Sequence, residues 1–351
     1  MSASHQAAQA RSREIEAELH RDPGRFRVLT GDRPTGPLHV GHLFGTLANR
    51  VRLQELGVDV MVLVADYQTI TDRESPASLP ADVLGLIADY LAVGIDPGRA
   101  TIFAHSHVEH LNQLMLPFLS LVSVAEVARN PTVKDEFASA GGEAMSALMF
   151  TYPVHQAADI LFCHANLVPV GSDQLPHIEL TRTIARRFND RYSPGRPYFP
   201  EPEGLLSQAP LILGIDGAKM SKSRANAIAL AASEDETANL IRTAKTDTER
   251  QITYEPDRRP EVSNLVLLAA LCLERSAEDV AAEVGDAGAS GLKRLLTDAL
   301  NERLRPLRQR RRELADDPAY LSSVLSAGTD RAREIAAATL GDVRELMHNA
   351  Y

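Results

Sequence analysis

The chain has 351 residues, 44% of them apolar and 24% charged, an ordinary balance for a globular protein of about two domains. A formal charge of −10 argues against a DNA partner or non-specific coating of nucleic acid, and no apolar run is long enough to cross a membrane. Cys163 and Cys272 stand far apart with no companions at ligand spacing, so neither a disulfide framework nor a metal site is expected.

Residues 1–25 are polar and alanine-rich without an apolar h-region. They predict a loosely attached helical extension rather than a signal peptide, and the expected compartment is the cytoplasm. Residues 26–30 read as a strand, broken by Gly31 and a turn through Pro34, Gly36 and Pro37. A helix pattern follows over 41–56 and stops at Gly57. Residues 58–64 are then apolar and β-branched, as in a strand buried on both faces.

The alternation continues with a helix over 81–93, a strand over 100–103 and a helix over 107–121. Residues 123–145 contain Asn130-Pro131 and Gly141-Gly142 and read as a mobile connection. A short strand, 167–170, precedes a helix over 175–189 and a proline-rich loop over 195–202. Beyond residue 230 the composition changes. Ser233 and Glu236 form a capping box, and helices are expected over 234–243, 263–274, 276–284, 292–314 and 331–348. Strand, glycine turn, helix and buried strand predict an α/β fold with a Rossmann-like parallel-sheet nucleotide-binding domain. That domain spans 26–215 with 123–145 as an insertion; a loop over 216–230 joins it to an all-helical domain.

Two segments carry phosphate chemistry. His39-Val40-Gly41-His42 opens a helix after a strand and a turn, where free amides and the helix dipole favour anions. Gly41 admits close approach to the backbone, and His39 and His42 can donate to phosphate oxygens. Lys219-Met220-Ser221-Lys222-Ser223 lies near Gly214 and Gly217, in a loop suited to closing over a triphosphate. There Lys219 and Lys222 would offset charge on a leaving pyrophosphate. Between the two, Tyr152, Gln156 and Asp159 fall at i, i+4 and i+7 on one helix face. The apolar neighbours of Asp159 argue for its burial, where it can accept a single ligand N–H and reject a ligand without one.

The two segments resemble the signature motifs of the class I aminoacyl-tRNA synthetases. The resemblance implies Mg2+-bound ATP, an aminoacyl-adenylate and transfer to the 3′ end of a tRNA. The stretches 151–161, 168–174, 177–182 and 187–189 resemble the tryptophanyl-tRNA synthetase family in particular, as do Gly31-Asp32-Arg33-Pro34-Thr35-Gly36 and Thr246-Asp247. Activation of L-tryptophan and charging of tRNA(Trp) by a homodimer are what this implies. By family position Asp159, Tyr152, Gln156, Gln174, Gly31 and Gln68 surround tryptophan. Arg33, Thr35, Gly171, Asp173 and Leu211 join Gly41, His42 and residues 219–223 around ATP.

The same resemblance makes 231–330 a tRNA anticodon-binding domain and sends a C-terminal helix, 331–351, back onto the catalytic domain. The cluster Lys293, Arg294, Arg303, Arg305, Arg308, Arg310, Arg311 and Arg312 is either a solvated face or a tRNA contact. Under the second reading, neutralising Arg308 and Arg311 flattens the salt dependence of charging. Gln156 stands where the family usually has methionine and Gln68 where it often has histidine, as in a divergent second bacterial type. A tyrosyl-tRNA synthetase, which Gln156-Ala157-Ala158-Asp159 slightly favours, and a tryptophan-binding paralogue without charging activity remain alternatives.

Overall fold

A computed structural model describes residues 3–70, 77–131, 133–134, 145–206, 211–221, 224 and 226–351. Helix α1, Ala3–Arg21, leads into strand β1, Arg27–Asp32. Helix α2 opens at Val40–His42, widens into a π-turn over Leu43–Leu47 and continues as Ala48–Leu56. Gly57, at φ 95°, ends it in the left-handed conformation that glycine adopts without strain. Then come β2 (Asp59–Val64), α3 (Leu79–Val93), β3 (Ala100–Ala104), α4 (Glu109–Leu119) and the short α5 (Val124–Ala128). Helix α6 (Ala147–Leu161), β4 (Leu167–Val170), α7 (Leu175–Tyr192) and β5 (Glu203–Leu206) complete the first part.

All strand pairs are parallel, in the order β3-β2-β1-β4-β5. This is the doubly wound order, which reverses direction between β1 and β4. Side chains alternate between two cores, as the pleat requires. Val60, Val62 and Val64 of β2 face one core with Val28, Ile102 and Leu86, while Met61 and Leu63 face the other with Phe103, Phe162 and Phe188.

The helical region holds α8 (Glu234–Thr243), α9 (Pro260–Leu273), α10 (Ala277–Val284), α11 (Gly288–Ala315) and α12 (Pro318–Leu346). Its α8 begins with the expected capping box: Ser233 N donates to Glu236 Oε2 at 2.7 Å, and Glu236 N to Ser233 Oγ at 3.1 Å. Leu292, Leu296, Leu300 and Leu304 of α11 join the first core of the sheet, so the helical region shares its apolar interior with the α/β layer. Helix α12 starts at Pro318, well before the expected 331. It crosses the edge of β3 at Gly328, where an added Cβ would stand 2.0 Å from Ile102 O. Beside it Thr329 Oγ1 accepts from Ala104 N at 3.1 Å.

The expectation of a loose N-terminal extension fails. Ile15 and Leu19 are fully buried, Ser12 Oγ accepts from Leu206 N at 3.0 Å, and Arg11 pairs with Glu203. Helix α1 therefore covers the edge of β5, a strand the sequence reading did not find.

Candidate functional site

At the carboxyl ends of the strands, where the order reverses, a cavity of about 730 Å³ opens between β1, β4 and α6. Ligands of open α/β sheets lie in such crevices. Tyr152, Gln156 and Asp159 all line it, as the helical spacing predicts, and Gln174, Gln68 and Gly31 do so too. At Gly31 a Cβ would stand 2.3 Å from Leu63 O, so only glycine permits β1 to pair with β2 there. Gln68 sits on a turn of 3-10 helix whose preceding residue, Asp66, is held by the Ser106 backbone N–H at 2.9 Å.

Asp159 is buried beside a polar network absent from the sequence reading. Gln68 Nε2 donates to Asp159 Oδ2 at 3.1 Å. Asp159 Oδ1, by contrast, has no hydrogen-bond partner among the described residues. His105 Nε2 lies 3.3 Å from Oδ1 but is aimed at Asn112 Oδ1, 3.1 Å away. His155 Nε2 meets the same Asn112 Oδ1 at 2.7 Å. Burial pushes the Asp159 carboxyl well above its ordinary value, and the Gln68 hydrogen bond offsets only part of that. Burial lowers His105 to about 3, helped by His155, and lowers His155 to about 4. Both rings are thus neutral near pH 7.

Donor atoms of His105, His155 and Asp159 lie within 4.8 Å of one another, close enough to suggest an ion cage. However, both Nε2 atoms face a carbonyl-type acceptor, and Asn112 Nδ2 donates to Val108 O at 3.4 Å, which sets the orientation of the amide. Each imidazole therefore carries its proton on Nε2 and offers no lone pair there. The cluster is a hydrogen-bonded cavity floor. Nothing in the sequence pointed to His105, Asn112 or His155, which lie respectively on the turn between β3 and α4, on α4 and on α6.

The two phosphate motifs meet each other beyond the turn that follows β1, outside the lining of the cavity. Leu38 O accepts from Leu230 N at 2.9 Å and Val40 N donates to Ile228 O at 3.0 Å, so the first motif pairs with backbone just beyond the second. Met220 rests against Gly41, where a Cβ would come within 3.3 Å of its sulfur. His42 Nδ1 accepts from His39 N at 3.2 Å, which puts the proton of a neutral His42 on Nε2. The two rings stand 3.8 Å apart. Lys219 is exposed, and Ser221 N donates to Asn226 Oδ1 at 2.8 Å. Asn226 also donates to Lys219 O and to Asp216, stapling the loop; the sequence reading missed it. Lys222 and Ser223 lie outside the described residues.

Arg33 and Gly171 line the cavity. Asp173 is exposed at its rim, where Gln174 Nε2 donates to its Oδ2 at 3.1 Å. Thr35 is half-buried in the turn after β1, and Leu211 is 66% exposed; neither lines the cavity. Under the same turn Arg50 donates to Asp32 Oδ2 at 2.5 Å and to Thr30 Oγ1 at 2.9 Å. Burial alone would raise the Asp32 carboxyl, but the Arg50 guanidinium outweighs it and holds Asp32 at about 2.

The late basic cluster divides in two. Arg308 is buried and donates to Thr237 Oγ1 at 2.7 Å and Asn301 Oδ1 at 2.8 Å. Arg311 pairs with the buried Asp89 of α3. Arg308 is internal and Arg311, half-buried, is committed to Asp89, so these two fit neither of the alternatives left open above, a solvated face or a phosphate contact. Arg303, Arg305, Arg310 and Arg312 of α11 are exposed or partly so, and turn away from the core.

The profile of the family described as tRNA synthetases class I (W and Y) matches residues 21–305. The tryptophan–tRNA ligase of Streptococcus agalactiae is 40% identical over 332 residues, covering 91% of this chain and 97% of that protein. That of Thermotoga maritima is 39% identical over 328 residues, covering 92% and 99%. The solved structure of tryptophanyl-tRNA synthetase from Campylobacter jejuni, complexed with ADP and tryptophan, is similar at a TM-score of 0.79 and 30% identity. It covers 92% of this chain and 99% of that one.

Proposed function

The chain belongs to the class I tRNA synthetases of the tryptophan and tyrosine family, and from that membership we propose how its cavity does the work of a tryptophan–tRNA ligase. The enzyme uses ATP to activate tryptophan and then esterifies tRNA(Trp). The relatives at 39–40% identity over more than nine-tenths of the chain are tryptophan enzymes, which disfavours both the tyrosyl reading and the paralogue without charging activity.

The observation that carries the reading of the site is Asp159 Oδ1, a buried acceptor without a donor among the described residues, at the floor of a cavity of ligand size. An indole has one polar hydrogen, and Oδ1 receives it. A phenylalanine side chain would leave the oxygen unsatisfied, at a cost of about 1–3 kcal/mol. Tyr152 and Gln174 hold the ammonium group, Gln156 lies beside the indole, and Gly31 and Gln68 line the remaining sides. The tryptophan carboxylate attacks the α-phosphorus of ATP, the bond to the bridging oxygen breaks, and pyrophosphate leaves. The tRNA 3′-terminal hydroxyl then attacks the mixed anhydride and AMP departs.

ATP enters with Mg2+ and lies along Arg33, Thr35, Gly41, Gly171, Asp173 and Leu211. His39 and His42 donate to its phosphates as charge develops, His42 through Nε2. Lys219 and Lys222, with Met220, Ser221 and Ser223, close over the pyrophosphate. Most of the rate comes from placement and charge stabilisation.

Exchange of labelled pyrophosphate into ATP tests this: tryptophan should stimulate it and tyrosine should not, and stimulation by tyrosine alone would overturn the reading. We also propose a homodimer in the cytoplasm. No helix among the described residues is long and apolar enough to cross a membrane, and Leu116 and Val124 stand 75% and 74% exposed on consecutive helices. Light scattering that returned the mass of one chain would refute the dimer.

A further inference from the structure

Leu38 lies between the turn after β1 and His39. Its carbonyl is spent on Leu230, as described, and its N–H donates to a side chain, Asp89 Oδ2, at 3.1 Å. Asp89 is wholly buried in the last turns of α3, and its other oxygen accepts from Arg311 Nε of α11. The next residue, Tyr90, is also wholly buried and donates from its hydroxyl to Asp32 Oδ2 at 2.7 Å. Consecutive residues of one helix therefore grip both ends of the turn between β1 and the first phosphate motif. The Asp32 end is tied to Arg50, farther along the motif helix; the Leu38 end is tied to a residue of the helical region 222 positions from Asp89.

A buried carboxylate keeps its charge only when a cation and hydrogen-bond donors satisfy it. Arg311 supplies the cation. Its guanidinium passes over Gly85, one helical turn before Asp89, where an added Cβ would stand 3.8 Å from Nη2. An ion pair that served only to attach α11 to α3 would have no reason to spend one carboxylate oxygen on the backbone of the residue before His39.

We propose that Asp89 is a positioning residue for the ATP-binding turn, and that Arg311 holds it in place from the helical region. The inference rests on the reading that this turn and His39 meet ATP. It assigns a role to two residues outside both signature motifs and makes the seat of α11 felt at Leu38.

The test uses the full-length enzyme and the variants Arg311→Met, Arg311→Lys and Asp89→Asn/Arg311→Met. Steady-state pyrophosphate exchange separates KM for ATP, KM for tryptophan and kcat, and thermal unfolding is followed alongside. With Arg311→Met, KM for ATP should rise roughly tenfold while KM for tryptophan stays within about twofold, the mark of a misplaced turn. Arg311→Lys keeps the charge and should recover most of the loss. The double variant keeps an acceptor for Leu38 without a buried unpaired charge, so it remains measurable if Arg311→Met alone does not fold, and its KM for ATP should lie nearer the wild-type value. Hydrogen–deuterium exchange gives a readout free of catalysis: the peptide containing residues 36–42 should lose protection in Arg311→Met. Unchanged KM for ATP, or equal changes in both KM values with no change in protection over 36–42, would show a packing contact alone and overturn the proposal. Absence of tryptophan-dependent exchange in the unaltered enzyme would be a failure of the functional reading, and the protection of 36–42 would still decide the positioning claim.

Discussion

Burial opposes the charge of Asp159. Burial raises its carboxyl, so the folded chain favours the protonated form; that contribution is present at low pH and is lost as the pH climbs above the ordinary carboxylate range toward the raised value. Asp159→Asn removes the loss. Its melting temperature relative to the parent should therefore increase between pH 5 and pH 8, while KM for tryptophan rises by about tenfold or more through the weaker acceptor. A melting difference independent of pH would show that the carboxyl ionises freely. His105 and His155 act with the opposite sign. Their values of about 3 and about 4 lie below the ordinary 6.5, so the stability they carry is full above pH 6.5 and drains as the pH falls toward those values. Replacing His105 by Gln should flatten the decline in melting temperature between pH 6.5 and pH 4; an unaltered slope would count against a neutral buried pair. These residues differ in how far they could be read from the chain. Tyr152, Gln156 and Asp159 were legible because a helix repeats every 3.6 residues and apolar neighbours signal burial. His105, Asn112 and Asn226 were not, since each acquires its meaning from partners brought in by the fold.

At the scale of elements, strands buried on both faces announced themselves: residues 58–64 are nearly all apolar, and β2 occupies 59–64. Strand β5 did not. Its four residues, Glu203 to Leu206, include a charge and a glycine, and it is a strand because β4 and α1 offer partners on its two sides. Helix α11 shows the same limit. Its arginines look alike in the sequence, yet Arg308 is a buried cross-link to α8 whereas Arg310 and Arg312 face solvent. Arg308→Ala should destabilise the fold by about 2 kcal/mol, by leaving Thr237 and Asn301 without their donor, and should not alter the salt dependence of charging. Neutralising Arg310 and Arg312 should instead leave the melting temperature within about 1 °C and lower the salt slope by about 1 for each phosphate that is no longer neutralised. A salt slope unchanged in both variants would return the exposed arginines to a solvated face.

For the molecule as a whole, the parallel sheet and the succession of helices behind it were legible from the alternation of patterns, but the seams were not. The apolar stripe becomes regular at residue 331 and predicts the start of the last helix there. The helix in fact begins at Pro318, and its first half packs in the core of one sheet face before it crosses to the other. Gly328 marks the crossing. Gly328→Ala should push α12 off β3 and cost about 3 kcal/mol, measurable by denaturant unfolding. A cost below about 1 kcal/mol would mean that the helix can slide.

The two outer strands are covered by helices that lie far apart in the sequence, and this sets a timetable. Helix α1 leaves the ribosome before β5 is made, so that edge has its cover waiting. Strand β3 is complete at residue 104, but the helix that shields it begins at residue 318. At about 5–20 residues per second, synthesis leaves β3 uncovered for on the order of 10 to 40 s. During that interval its unpaired amides can dock onto another nascent copy. Chains ended by a stop codon at position 317 should accumulate as aggregates rather than as a smaller enzyme, and co-expressed chaperone should rescue the full chain but not the shortened one.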